Sequence, residues 1–388
     1  MTTPAEFVPE TIDAAASRIA ESERSGEVVA IIGGGTDFDI GNTPDRAGLV
    51  IRTTKLDRVV EHAPSDQIIA VEAGATLARV QEVVMAHGQR LALDPPQPDR
   101  ATIGGIVAAN AFGPLRTRFG SVRDLIIGIS IIRADGVIAH GGGKVVKNVA
   151  GFDLPKLMVG SLGTLGMIAT VTFRLHPLPE NSETLLLTNR NAAALRKLIL
   201  DMKQSQLEPA TVVAIAHGTG FDVAVRFEGF RAGVVAQRDR LSRLSTCEVL
   251  DTAGAKQFWS RHDAVRAAGP LRLKIAAPPS HVEIVSSAVV APLLGAMNGG
   301  FVWYPMSGLG FVTGAPADDR RIATAIENAR QILVKARGSL TIGAAPASVR
   351  EHVGAWGEPT GAYPLMQAIK QKFDPDRRFA PGRFVGDI

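Results

Sequence analysis

Three consecutive glycines, Gly33–Gly35, follow the apolar run Val28–Ile32 and lead into Thr36 and Asp37. Backbone N–H groups left bare at the end of a strand can form a concave nest for an anion, and missing side chains let a ligand approach the main chain. Glycines cluster again at Gly104-Gly105, at Gly141–Gly143 and across Gly160–Gly166. One such loop reads equally well as a turn that needs positive φ. Several of them in the first half of the chain point to an extended, phosphate-bearing cofactor. The dinucleotide fingerprint GxGxxG is not met, because Phe38 stands where the third glycine belongs. The phosphate-loop pattern fails as well: Val145 follows Gly143-Lys144, and Ile138 takes the place of its first glycine.

Other chemistry-bearing residues are scattered. Arg116, Arg118 and Arg123 lie within the glycine-rich region and read either as structural ion-pairing groups or as partners for a substrate carboxylate or for charge developing on a bound cofactor. Lys144 and Lys147 flank a Val-Val pair. His87, His140, His176, His217 and His262 each stand alone, which favours satisfied structural roles, and His217, before Gly218 in a loop, is the histidine to test as a base. Arg116 and His217 are therefore the catalytic candidates. No metal site is expected: the single cysteine, Cys247, reads as a small buried residue and rules out a cysteine-held zinc or iron–sulfur centre within this chain.

The periodicity says what must position these loops. Residues 11–24 predict an amphipathic helix, Val28–Ile32 a buried strand, and residues 49–52 and 67–73 further strands. Residues 77–87 predict a helix ended by Gly88. The proline-rich DPPQPDR at 94–100 excludes regular structure. TIGGIVAAN, from Thr102, is helix-like but made of small residues; 125–133 and 137–140 predict a hairpin around Asp135-Gly136. Asp153 is placed to cap a short helix over 154–159, and 167–175 alternates as a strand. His176–Glu180 reads as a linker. Beyond it, helices are expected over 192–204 and 231–244 and strands over 211–216, 222–227 and 271–275, with Trp303-Tyr304 in a core strand and a terminal helix before a Pro-rich tail.

Composition bounds the possibilities. With 388 residues, 46% hydrophobic and 21% charged, the chain suits two globular domains. Its net charge of +4 is dispersed and aromatic residues are only 5%, which speaks against a nucleic-acid partner. The N-terminus lacks a signal peptide's basic start and apolar core, and no run reaches the roughly twenty apolar residues of a membrane span, so a cytoplasmic location without direct membrane insertion is expected.

GGGTD after a strand, TIGGIVAAN, GSVRDLIIG, KNVAGFDLPKLMVGSLGTLG and the closing FDP and APGR resemble, in that order, the FAD-binding family typified by vanillyl-alcohol oxidase and p-cresol methylhydroxylase. Within it they are most similar to the FAD-binding E subunits of bacterial glycolate oxidases. The resemblance implies an α+β fold: a two-subdomain PCMH-type FAD-binding domain over 1–180, a smaller α+β cap domain over 181–350, and a terminal helix and tail, 351–388, returning to the FAD domain. It implies that Gly33, Gly34, Gly35, Thr36 and Asp37 form the pyrophosphate loop and that Thr102, Ile103, Gly104, Gly105, Ala108 and Asn110 form a second wall. Ser121 and Asp124 would border the cofactor, and Gly163, Leu165, Gly166 and Ile168 would line the adenine and flavin side.

Thr36-Asp37-Phe38 replaces the histidine to which some family members attach their flavin, so FAD is expected to be non-covalent. The histidine-rich motif of the catalytic hydroxy-acid members is absent, and Ala380 replaces the asparagine usual before PGR. The implied function is that of an FAD-dependent oxidoreductase acting on CH–OH groups of glycolate or a related short 2-hydroxy acid. It would work with a second FAD-binding catalytic subunit and an iron–sulfur subunit, and membrane association, if any, would come through those partners. A self-sufficient flavin dehydrogenase or oxidase for another alcohol or hydroxy acid, and a non-catalytic assembly subunit with the same fold, are the alternatives.

Overall fold

The computed structural model describes residues 4–44, 48–143 and 153–388. The chain divides into two compact units. Unit 1 comprises Met1–Gly113, Gly120–Leu178 and Glu358–Ile388, and unit 2 comprises Pro114–Phe119 and Pro179–Gly357.

Unit 1 is built on two main sheets. The helix Ile12–Ser25 starts at Thr11, whose hydroxyl accepts from the Ala14 amide at 3.1 Å, and it buries Ala15 and Ile19. It accompanies a three-stranded parallel sheet in the order Ala5–Phe7, Leu49–Arg52, Val29–Ile32. The second sheet is antiparallel and five-stranded, in the order Val59–Ala63, Ile68–Glu72, Met167–Arg174, Ile126–Ile132, Ile138–Gly142. One apolar cluster joins them: Ile19, Val29, Leu49 and Ile51 pack with Ile132, Met167, Ala169 and the C-terminal Phe379. The hairpin expected around Asp135-Gly136 forms, with Gly136 at φ +78°. Gly141–Gly143, read from the sequence as a loop, instead belongs largely to this hairpin: its second strand runs to Gly142, and Gly143 donates to the Ile127 carbonyl at 3.0 Å.

Unit 2 is an antiparallel sheet of eight strands. Their order is Glu248–Val249, Asn181–Arg190, Gly220–Gly229, Thr211–His217, Met297–Tyr304, Leu309–Pro316, Leu271–Ala276 and Ser339–Ala344. One face packs Leu187, Val223, Trp303, Val312 and Leu273 against helices that include Ala192–Gln204 and Asp319–Lys335. The strands Leu309–Pro316 and Ser339–Ala344 and the helix Thr252–Ala267 were not legible in the sequence. Glycine dilutes the strand signal there, yet Gly310 is required: a Cβ would sit 2.5 Å from the Trp303 ring. Cys247 is half-buried rather than fully buried, with Sγ 3.4 Å from the Ser242 hydroxyl.

The terminal helix Tyr363–Phe373 and the tail after it are tied into unit 1 by a buried ion pair. The Lys370 ammonium donates to Asp374 Oδ2 at 2.7 Å, to the Thr164 carbonyl at 2.8 Å and to the Phe379 carbonyl at 2.9 Å. The Asp374 carboxylate also accepts from the amides of Arg378, at 3.0 Å, and Phe379, at 2.8 Å. Burial pushes the Lys370 ammonium below its ordinary pKa, while Asp374 opposes that shift. The tail then runs beside Val29: Val29 donates to the Arg378 carbonyl at 2.8 Å, and Ala380 donates back to Val29 at 2.9 Å.

Both side chains of the pair are almost wholly buried, at 4% and 0% exposure, so removing one leaves a charge with no solvent to receive it. Asp374→Ala is predicted to destabilise unit 1 by about 3–5 kcal/mol. Thermal unfolding followed by circular dichroism checks this, and a loss below about 0.5 kcal/mol, as for a surface change, would contradict the pair's role.

Candidate functional site

A cleft of about 670 Å³, open mouth included, lies within unit 1. Of the sequence-predicted residues, Gly33, Gly34, Gly35, Thr36, Asp37, Thr102, Gly104, Gly105, Ala108, Gly163, Gly166 and Ile168 line it. Ile31, Ile32, Phe38, Thr53, Ala73, Ala109, Leu162 and Arg383 line it as well, and sequence reasoning did not assign them.

The floor is set by a close backbone approach. Strand Ile68–Glu72 runs into Ala73 and Ala75, whose carbonyls accept from Gly104 at 2.7 Å and Ile103 at 2.8 Å. This fixes the start of the helix Ile103–Ala109. The strand Val29–Ile32 delivers Gly33 and Gly34 onto the chain just before that helix. A Cβ at Gly33 would lie 2.1 Å from the Thr102 hydroxyl, and one at Gly34 would lie 1.7 Å from the Arg100 carbonyl oxygen. The Gly34 amide itself donates to the Thr102 hydroxyl at 3.3 Å. Gly33 and Gly34 are therefore required by packing, a different reason from the bare-amide role read in the sequence. Gly35 is glycine for its backbone, at φ +72°. The amides of Gly35 and Thr36 have no hydrogen-bond partner among the described residues. They, and not the Gly34 amide, are the donors free for an anion.

The opposite rim is the turn after the short helix Leu154–Met158, which Asp153 caps by accepting from the Lys156 amide at 3.4 Å. Gly160 donates to the Val107 carbonyl and Leu162 to the Ala108 carbonyl, both at 2.9 Å. Leu162 sits at φ +52°, a conformation uncommon for a bulky residue, and this turns Gly163 into the cleft. The walls between these loops are apolar: Ile31, Ile168, Ala108 and Ala109.

Five predicted contacts do not line the cleft. Ile103 and Leu165 are core residues. Asn110 is the left-handed C-cap of the helix Ile103–Ala109, at φ +49°. Ser121 and Asp124 form a capping box: one Asp124 oxygen accepts from the Ser121 amide at 2.7 Å and from its hydroxyl at 2.8 Å. Ala380, where the resembling family has asparagine, is also left-handed, at φ +41°, and is buried outside the cleft lining. Lys144 and Lys147 lie outside the described residues.

Arg116 and His217, the catalytic candidates, belong to unit 2. Arg116 starts the one-turn helix Arg116–Phe119, and its neighbour Arg118 donates to the Glu228 carbonyl at 2.8 Å. Arg123 donates to the Lys156 carbonyl at 3.5 Å. His217 ends a strand rather than sitting in a loop, mostly exposed, with Nδ1 3.2 Å from an Asp222 carboxylate that also takes Arg261 at 2.7 Å. A second polar group in unit 2 escaped the sequence reading. The buried Tyr304 hydroxyl meets His262 Nε2 at 2.8 Å and Arg266 at 2.6 Å, and His262 Nδ1 meets Asp263 at 2.8 Å. Burial holds His262 below its ordinary pKa, against the opposing hydrogen bond from Asp263. The helix Thr252–Ala267 carries His262, Asp263 and Arg266, and the end of the strand Met297–Tyr304 supplies the hydroxyl.

Residues 4–142 match the FAD binding domain family. This part of the chain resembles an FAD binding domain, and the α+β fold is of the PCMH type. Over 206 residues the chain is 34% identical to glycolate oxidase subunit GlcE of Escherichia coli, a match covering 52% of this chain and 55% of that protein. It is 33% identical over 180 residues to glycolate oxidase subunit GlcD of Bacillus subtilis, covering 46% of this chain and 38% of the relative. It is 36% identical over 147 residues to a D-lactate dehydrogenase of Archaeoglobus fulgidus, covering 37% and 32%. The chain thus spans about half, or less, of the curated relatives it matches. Among solved structures, an alkyldihydroxyacetonephosphate synthase shares the fold with a TM-score of 0.73 at 13% identity, over 98% of this chain and 77% of that one.

Two outcomes follow. Gly34→Ala places a methyl group against the Arg100 carbonyl, so the Arg100–Thr102 segment must move; flavin content of the purified variant is predicted to fall at least about tenfold with a lowered melting temperature, and full flavin retention would refute the close approach. For His262, the unfolded chain takes up a proton as pH falls through about 6.5 while the folded site does not, so unit 2 loses stability below that pH. A melting temperature measured from pH 8 to 5 should fall less steeply in His262→Gln than in the parent, and parallel curves would count against this.

Proposed function

We propose that this chain binds FAD non-covalently in the unit 1 cleft and serves as the FAD-binding subunit of a glycolate oxidase complex. The observation that carries the reading is the convergence of two glycine-bearing loops and the glycine-bearing start of the helix Ile103–Ala109 on one cleft, where the Gly35 and Thr36 amides lack partners among the described residues. A pyrophosphate needs donors without bulk, and backbone amides supply them. The apolar walls at Ile31, Ala108 and Ile168 suit a flat, largely aromatic group and keep water from it. FAD bound there supplies a two-electron acceptor for oxidising a CH–OH carbon to a carbonyl.

The substrate class, glycolate or a related short 2-hydroxy acid, is taken from the likeness to subunits GlcE and GlcD. The assignment as a subunit has support in the cleft itself. Among the described residues its ionisable lining side chains are Asp37 and Arg383, and Arg383 is already held by backbone carbonyls, so no described lining histidine is there to take a hydroxyl proton. In this reading a second FAD-binding subunit carries the substrate chemistry. An iron–sulfur subunit receives the electrons, since one cysteine cannot hold a cluster. No described helix is long and apolar enough to cross a membrane. The match to a D-lactate dehydrogenase favours one second reading, a self-sufficient hydroxy-acid dehydrogenase.

The visible spectrum of the purified chain, followed by acid precipitation, tests the cofactor. Flavin bands whose colour passes to the supernatant are the expected outcome; colour retained in the pellet rejects non-covalent binding, and a colourless protein whose melting temperature ignores added FAD rejects the site. Anaerobic addition of glycolate and of D-lactate then separates the two readings. The subunit assignment expects no bleaching until the partner subunits are added, whereas rapid bleaching of the chain alone establishes the self-sufficient enzyme.

A further inference from the structure

The loop from Gly33 to Asn42 is held at both ends. Its first foot, Gly33-Gly34, is seated on Arg100–Thr102. Beyond Gly35 the local backbone bonds are short turns, Phe38 to the Gly35 carbonyl at 3.4 Å and Ile40 to the Asp37 carbonyl at 3.1 Å. Such turns fix local shape but do not anchor a limb to the rest of a domain. The C-terminal tail provides an anchor. Arg383 donates Nη2 to the Phe38 carbonyl at 2.6 Å and Nε to the Ile40 carbonyl at 3.3 Å. Its guanidinium lies over the Phe38 ring, 4.7 Å from the centroid. The tail backbone completes the staple: the Asn42 amide donates to the Arg383 carbonyl at 3.0 Å, and its side chain donates to the Gly382 carbonyl at 3.2 Å. Arg383 is only 5% exposed, yet it lines the cleft together with Gly35 and Thr36.

We propose that Arg383 is a positioning residue for the cofactor site: by gripping two carbonyls of the Phe38–Ile40 limb it aims the Gly35 and Thr36 amides, so that docking of the C-terminal tail and binding of FAD are one linked equilibrium. The claim rests on the FAD reading above. The grip depends on geometry. A planar fork can serve two carbonyls and stack on a ring at once, whereas an ammonium is a point donor that cannot. Linkage is reciprocal, so a ligand that needs the ordered loop must in turn hold the tail in place.

The full-length chain, stripped of flavin and titrated with FAD by flavin fluorescence, tests this in the parent, Arg383→Lys and Arg383→Gln. FAD binding at least about tenfold weaker in both variants is expected, with lysine giving no substantial rescue. Affinity within about twofold of the parent in both, or full rescue by lysine, overturns the two-carbonyl grip. Hydrogen exchange needs no variant to fold: added FAD should slow exchange in residues 35–42 and in the tail around 379–386 together. Protection of the loop with an unchanged tail overturns the linkage. If the parent takes up no FAD, the FAD reading itself has failed. Arg383 is then judged on the flavin-free protein alone: faster exchange of residues 35–42 in Arg383→Lys upholds the positioning role, and unchanged exchange overturns it.

Discussion

A single buried ammonium holds unit 1 together across the length of the chain. Lys370 reaches a carboxylate four residues away, a carbonyl in the Ser161–Thr164 turn and a carbonyl in the tail, all within 2.9 Å. The terminal helix is thereby bonded to the turn that carries Leu162 and Gly163 into the cleft and to the tail that pairs with Val29. A buried charge is costly unless every donor is used, and Lys370 uses all three. The Asp374 carboxylate is likewise satisfied, by the ammonium and two backbone amides. Arg378 adds a second buried cation, donating to the Ser22 hydroxyl at 3.0 Å and to the Ala134 carbonyl. The last residues of the chain are therefore part of the folded body of unit 1.

That anchoring explains how a cleft lined by glycine and alanine can be stable. Loops with few side chains contribute little apolar burial and lose much conformational entropy on ordering. Here each is held from outside. Gly33-Gly34 rest on Arg100–Thr102, the turn around Leu162 is bonded to the end of the helix Ile103–Ala109, and the Phe38–Ile40 limb is gripped by Arg383. The rigidity comes from the two sheets and the tail. The loops supply the exposed amides and the space, and the division suits a cofactor that lies along the main chain.

The glycines show that residues lining one cleft can be glycine for different reasons. The run Gly33–Gly35 marks the cleft, but the three residues are glycine for separate causes: Gly33 and Gly34 because a facing segment leaves no room for a Cβ, Gly35 because of its positive φ. Gly141–Gly143, similar in composition, belongs instead to a hairpin away from the cleft lining. Composition identifies where side chains are missing. It does not say what occupies the space.

By itself the sequence determined the strands and helices of unit 1 whose periodicity is strong, the hairpin at Asp135-Gly136, the Asp153 cap and most of the glycine positions that line the cleft. These are local properties, fixed by side-chain alternation, capping and turn chemistry over a few residues. Tertiary structure alone decided which of the marked residues meet. It assigned Ser121 and Asp124 to a capping box and Asn110 to a helix end, and it brought Arg383 to a loop more than 340 residues earlier in the chain. It also gathered His262, Arg266 and Tyr304 around one hydroxyl. Such meetings depend on long-range packing, for which the spacing of residues along a single chain carries no signal. The APGR ending was visible as a motif; only the fold showed what its arginine holds.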